Sequence, residues 1–167
     1  AQQIIDLSIE KSGLEKLEAA ELSFDFRGNA YVATRKNGNF KLVKEYVKDG
    51  NRFMDVLTND GFVQYKNDSL SVLTDKKSGA LRNSVNSVHY FSVLPYGLND
   101  AAVQKKLLGL VRVHGKDYYK IQVTFQQEGG GDDYEDVFLY WINKRTFSLE
   151  YLAYKYHTDG GGVRFRE

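Results

Sequence analysis

The chain has 167 residues, with 23 Lys and Arg against 22 Asp and Glu for a formal charge of +1, no cysteine and a single proline. The missing cysteine excludes a disulfide, a thiolate zinc site and a cysteine nucleophile. The balanced charge lacks the basic excess with which nucleic-acid-binding domains displace counterions, so no nucleic-acid partner is expected.

A hydrophobic fraction of 42% beside 27% charged residues excludes wholesale disorder. At this length one core suffices, and no repeat, linker or low-complexity tract divides the chain, so a single domain over 1–167 is expected. Twelve Tyr and ten Phe favour pleated strands. No apolar run approaches the roughly 20 residues that span a bilayer. The chain opens on Ala1 rather than Met, as an exported chain does once its leader is removed.

In chain order, "QQIIDLSIEKSGLEKLEAAE" places Ile5, Ile9 and Ser12 one turn apart, with Gly13 interrupting before Leu14 and Leu17. This reads as an amphipathic helix in one or two pieces. From Glu21 the period becomes two: Leu22, Phe24 and Phe26 alternate with Ser23, Asp25 and Arg27. The same rhythm runs through "AYVATRK", "FKLVKEYVK", "RFMDVLT" and "FVQYK", separated by Asn37-Gly38, Asp49-Gly50 and Asp60-Gly61, pairs that tolerate the positive φ of tight hairpin turns. An antiparallel meander follows. A second helix is predicted from about Ser78, with Leu81, Val85, Val88 and Ser92 at helical spacing, Phe91 flanking and Pro95 and Gly97 ending it. Asp100 is expected to cap a short turn. Strands return in "LLGLVRVHG", "YYKIQVTFQQ", "EDVFLYWIN", "TFSLEYLAYKYH" and "VRFRE". The adjacent pairs Lys76-Lys77 and Lys105-Lys106 read as solvated punctuation at element ends.

Catalytic motifs are sparse. "EGGGDDYEDVFLYW" sets glycines against acids, but a phosphate loop needs its glycines to feed a helix and, in the Walker form, a Lys before Ser or Thr, whereas Asp132 and Asp133 follow here. Asp132, Asp133, Glu135 and Asp136 are hard oxygen ligands that suit a cation such as calcium. Counted from Asp132, however, the sixth and twelfth positions of an EF-hand hold Val137 and Asn143 instead of Gly and Glu. A solvated glycine-rich connection is the simpler reading, and no metal or cofactor is expected. His89, His114 and His157 stand too far apart for a zinc motif, and no GxSxG elbow is present. An enzymatic alternative, a hydrolase or isomerase, would use His89, His157 and Asp159 as a scattered acid/base set.

The aromatic strands carry more information. "VFLYWIN" is apolar on both faces, and "YLAYKY" places Tyr151 on one side with Leu152, Tyr154 and Tyr156 on the other. Two readings stay open: inner strands covered on both sides, or the wall of an apolar cavity whose Tyr and Trp rings hold a lipid-like ligand. The residues assigned to that cavity are Phe91, Tyr96, Tyr119, Phe125, Phe138, Tyr140, Trp141, Tyr151, Tyr154 and Tyr156.

At "LSFDFRGNAY", "LPYGLND" and the stretch from Tyr118 to Glu167, the sequence resembles an uncharacterised family of exported proteins from Bacteroidota, a resemblance that carries over no catalytic residue. The order of helix, meander, inserted helix and further strands is also similar to the lipoprotein-carrier fold of LolA and LolB. That likeness implies an α+β, mostly antiparallel architecture: a strongly curved half-open barrel with covering helices, the Leu81–Ser92 helix and "LPYGL" forming a lid. It further implies a hydrophobic small molecule or lipid, including a lipoprotein anchor, as partner, a periplasmic or outer-membrane location, and a lipid anchor outside the chain as an option. A third reading is a structural or interaction module without a small ligand.

Overall fold

The computed structural model of the chain describes residues 1–128, 134–156 and 161–167. Its order is α1 (Gln2–Ser12), a 3₁₀ turn (Leu14–Ala19), β1 (Glu21–Phe26), β2 (Asn29–Lys36), β3 (Asn39–Lys48), β4 (Asn51–Thr58), β5 (Gly61–Lys66), β6 (Ser69–Leu70), α2 (Asp75–Ser92), a 3₁₀ turn (Tyr96–Asn99), β7 (Val103–Val113), β8 (Lys116–Phe125), β9 (Val137–Asn143), β10 (Leu149–Tyr156) and β11 (Gly162–Arg166). The mostly antiparallel α+β class expected from the sequence is the one adopted. Each sheet ends in edge strands and neither closes on itself. Two compact units are formed, Lys16–Val93 and a second made of Ala1–Glu15 with Leu94–Glu167.

The first unit is a six-stranded meander in the order β1 to β6. Four of its five hairpins close through two-residue turns in which both central residues have positive φ: Arg27-Gly28, Asn37-Gly38, Asp49-Gly50 and Asn67-Asp68. This backbone matches the right-handed twist of the flanking strands. One expectation shifts by one residue: Asn59-Asp60 form the turn expected at Asp60-Gly61, leaving Gly61 (φ 131°) to open β5.

The register sets Leu22, Ala33, Leu42, Leu57 and Phe62 side by side in one row across β1 to β5. Helix α2 lies on this row, with Val85 completing a core of Ala33, Leu42 and Leu57. It starts three residues before the predicted Ser78 because the Thr74 side chain accepts from the Lys77 N–H and caps it.

The neighbouring row on the same face is Phe24, Tyr31, Lys44, Asp55 and Gln64. His89, one turn beyond Val85, packs edge-on against Phe24 and Tyr31 at 5.8 and 5.5 Å. Its Nε2 lies 3.0 Å from the Val43 carbonyl while Nδ1 has no partner. Burial pushes its pKa down, so the ring is held neutral. Gln64 donates to Asp55 Oδ1 at 2.7 Å and to the Tyr46 hydroxyl at 3.1 Å, and Asp55 Oδ2 is left without a partner. Asp55 is fully buried. That burial raises its pKa against the lowering effect of Gln64 and Lys44.

In the second unit α1 stops at Gly13, whose φ of 69° ends the helix, so the N-terminal segment is two pieces. Asp6, Gln2 and Asn99 tie α1 to the 3₁₀ turn at Tyr96–Asn99. Asp100 opens a short turn, its carbonyl accepting from the Val103 N–H at 3.0 Å, and β7 begins at Val103, four residues before "LLGL". Lys105 is no solvated punctuation either, because its ammonium donates to the Leu98 carbonyl at 2.6 Å. The five strands run β11-β10-β9-β8-β7, with the β7–β8 turn at His114-Gly115 again at positive φ for both residues. A register shift interrupts β7 between Leu107 and Gly109, where Gly109 has φ 128°.

Two predictions follow from the meander. Leu42→Ala removes a side chain only 5% exposed and is expected to cost about 2–5 kcal/mol in urea denaturation, whereas Val47→Ala, at a position 73% exposed, stays within about 0.5 kcal/mol. Because the folded Asp55 pKa lies above the unfolded one, its contribution is fully present below about pH 4 and is lost as the pH rises through the folded value. Asp55→Asn keeps the acceptor for Gln64 and cannot ionise, so its stability relative to the parent is expected to increase between pH 4 and pH 7. A pH-independent difference in urea midpoints would contradict this.

Candidate functional site

The register of the second sheet separates its aromatic residues onto two faces. One face carries the row Val123, Phe138, Tyr154, Arg164 and the row Ile121, Tyr140, Leu152, Arg166. Phe138 stacks on Tyr154 at 5.1 Å and on Tyr140 at 6.0 Å, Phe125 meets it edge-on, and Arg164 lies 4.5 Å from the Tyr156 ring. Phe138, Tyr140, Ile142, Leu152 and Tyr154 are buried. Tyr119 belongs to this face and stacks on Phe147.

The opposite face carries Lys120, Trp141 and Tyr151 in one row and Gln122, Leu139, Ala153 and Phe165 in the next. Phe165 stacks on Tyr151 at 5.8 Å and meets Trp141 edge-on at 6.2 Å, while the Lys120 ammonium sits 5.1 Å from the Trp141 ring. Trp141 and Tyr151 are half-buried, and Phe165 is 55% exposed. A cation on the electron-rich ring face at a half-wet site is favourable by about 0.5–1 kcal/mol.

This second face is braced from below. The Tyr118 hydroxyl donates to Glu150 Oε2 at 2.6 Å, Asn143 Nδ2 donates to Oε1 at 2.8 Å, and Lys116 reaches Oε2 at 3.1 Å. Those donors, Tyr118 foremost, hold the Glu150 carboxyl below its usual range, and burial followed by the adjoining carboxylate pushes the Tyr118 hydroxyl up. Tyr118 in turn meets Tyr151 edge-on at 5.5 Å.

The expected cavity set is therefore divided. Tyr119, Phe125, Phe138, Tyr140, Tyr154 and Tyr156 share one face of the sheet, and Trp141 and Tyr151 the other. Tyr96 stands half-buried in the 3₁₀ turn, and Phe91 lies on α2 of the first unit, edge-on to Tyr90. Phe165, Lys120 and Glu150 were not singled out from the sequence. The alternation of "VRFRE" is the signal that could have found Phe165. None of the ten aromatic residues lines the cavity of about 190 Å³ formed in the second unit by Ser8, Lys11, Ser12, Leu94, Pro95, Ser148 and Leu149.

Of the acid/base set, His89 is buried on the sheet-facing side of α2, and His157 and Asp159 lie outside the described residues, as do Asp132 and Asp133. Glu135 is exposed and Asp136 buried. Among the described residues no three His, Asp or Glu side chains are grouped to hold a metal ion, and no helix is long and apolar enough to cross a membrane.

Glu150 titrates in the opposite sense to Asp55. Its folded pKa is depressed, so its contribution is present above the unfolded value near pH 4.3 and is lost as the pH falls through the folded value. Glu150→Gln is expected to lower the urea midpoint at pH 7, with a deficit that shrinks on acidification toward pH 3. A deficit independent of pH would locate the loss in packing rather than charge.

No curated protein matches the chain. Among solved structures it is similar to the lipoprotein LppX of Mycobacterium tuberculosis, with 13% identity, a TM-score of 0.37 and coverage of 98% of this chain and 92% of that one. It is also similar to a DUF1329 family protein from Desulfovibrio piger, at 11% identity, TM-score 0.39 and coverage of 95% and 74%, and to LprF from Mycobacterium bovis, at 16%, 0.35, and 98% and 89%. Residues 15–167 match the profile of a family of unknown function, and the chain belongs to that family, DUF6503.

Proposed function

We propose that the chain is a non-enzymatic binding protein that holds a hydrophobic ligand of lipid or acyl type against its C-terminal sheet. In this reading it is exported, works in the periplasm or at the outer membrane, and belongs with exported proteins of Bacteroidota. A lipoprotein anchor falls within the same ligand class.

The observation that carries the reading is the half-open cluster of Trp141, Tyr151 and Phe165 beside the Lys120 ammonium. Rings packed only for stability would be closed over, as Phe138 and Tyr140 are on the other face. Further apolar surface is open on the edge strands, at Val163 (74% exposed) in β11 and at Leu107, Leu108 and Leu110 (42%, 45% and 56%) in β7. Micromolar binding corresponds to about 8 kcal/mol. At about 25 cal/mol per Å² it requires more than about 300 Å² of apolar surface before association costs. That area asks for an acyl chain rather than a small aromatic molecule. Lys120 and the Tyr hydroxyls would orient the polar end of such a ligand.

Trp141 is the single tryptophan and reports on its own face. Titration with a long-chain fatty acid is expected to shift its emission to shorter wavelength, and Phe165→Ser to weaken that binding several-fold. Native mass spectrometry of the purified protein is expected to show retained lipid. Unchanged Trp141 emission together with a lipid-free mass would overturn the proposal.

A further inference from the structure

Strand β7, VQKKLLGLVRV, is an edge of the second sheet and pairs with β8 alone. Edge strands ordinarily show charge to water, yet Leu107, Leu108 and Leu110 are all exposed here. The register explains why they stand together. Leu107 lies opposite Ile121 and Leu110 opposite Tyr119, and these alternate residues of β8 share one face of the sheet. On a regular strand, residues an odd number of positions apart face opposite ways. The shift between Leu107 and Gly109 returns Leu110 to the side of Leu107 and leaves Leu108 as the extra residue. Gly109 is required by its φ of 128° alone, because an added Cβ would meet nothing within 4 Å.

Cations flank the leucines. From Val103 to Lys116 the chain carries Lys105, Lys106, Arg112 and Lys116 and no acid, in a protein whose formal charge is +1. Lys105 is committed to the Leu98 carbonyl and Lys116 to Glu150. Lys106 and Arg112 are exposed on either side of the leucines, with Arg112 reaching the Gly115 carbonyl at 3.3 Å and standing opposite Asp117.

This combination selects among partners. A second copy paired edge to edge would gather Lys106 and Arg112 of both copies along one seam, with no acid in either β7 to offset them. The bulge also interrupts the ladder that such pairing needs. A hydrated polyanion would satisfy the cations and leave the leucines in water. A surface that is anionic outside and apolar just beneath matches both.

We propose that the β7 edge docks the protein on an anionic phospholipid bilayer, with Leu107, Leu108 and Leu110 entering the acyl boundary and Lys106 and Arg112 meeting headgroup phosphates. The open backbone of the edge stays at headgroup depth, where water still satisfies its N–H and C=O groups. This docking is independent of the ligand assigned to the Trp141 face.

Flotation with vesicles of equimolar phosphatidylcholine and phosphatidylglycerol, against phosphatidylcholine alone, tests it. The protein is expected to float with the anionic vesicles only, and less as added salt screens the charges. Leu108→Ser combined with Leu110→Ser is expected to weaken binding about ten-fold, with the thermal midpoint and the response of Trp141 to fatty acid unchanged. Lys106→Gln combined with Arg112→Gln weakens it several-fold. In the unaltered chain, anionic vesicles are expected to slow amide hydrogen exchange along β7 and not along β1, an edge of the other sheet. The proposal is overturned by no flotation with anionic vesicles, by equal flotation with both kinds, or by unchanged exchange along β7. Full binding by the leucine double variant also overturns it, since charge alone would then be the cause. So does a dimer that the leucine substitutions dissociate, which would assign the edge to a second copy.

Discussion

Strand register is the constraint on which the other features rest. In an antiparallel sheet a slip of one residue sends every side chain to the opposite face. Here the register is held by tight turns whose two central residues both adopt positive φ, four in the first sheet and His114-Gly115 in the second. With those turns in place, Leu22, Ala33, Leu42, Leu57 and Phe62 meet in one row and give α2 an apolar strip to lie on. The same rule in the second sheet puts Trp141 and Tyr151 back to back with Phe138, Tyr140 and Tyr154.

Register also places the polar groups that the core would otherwise exclude. Lys44, Asp55 and Gln64 fall in the row beside the apolar strip, so closing α2 over the sheet takes a carboxylate out of water with one oxygen unmatched. In the second sheet Glu150 collects donors from Tyr118, Asn143 and Lys116 and is stabilised in its charged form. One acid is buried short of partners and the other is supplied with them, and this difference in partners sets their opposite dependence on pH.

The functional reading follows from an asymmetry between the faces of the second sheet. Phe138, Tyr140 and Tyr154 on one face are packed shut, while Trp141, Tyr151 and Phe165 on the other are braced by the Tyr118–Glu150 network yet left half open with a cation beside them. A supported but unfilled aromatic surface suits a partner that is apolar along its length and polar at one end.

Much of this was legible in the chain of residues. The period of two, the Asn-Gly and Asp-Gly pairs and the bifacial character of "VFLYWIN" and "YLAYKY" determined an antiparallel α+β protein with aromatic strands near its C-terminus, because backbone geometry and alternation are local properties. Arg27-Gly28 and Asn67-Asp68 were less visible as turns, since Arg27 is not a residue whose type announces positive φ and Asn67-Asp68 lacks the glycine that marks the other turns. Which aromatic residues share a face depended on the pairing of β8, β9 and β10, including an irregularity between Leu149 and Tyr151, and no single strand carries that information. The carboxylate of Asp55 and the hydroxyl of Ser8 look like ordinary surface groups in sequence. Only the tertiary structure decided that they are buried with atoms unmatched, because burial is a property of what packs from elsewhere in the chain and hydrogen-bond partners come from residues many positions away.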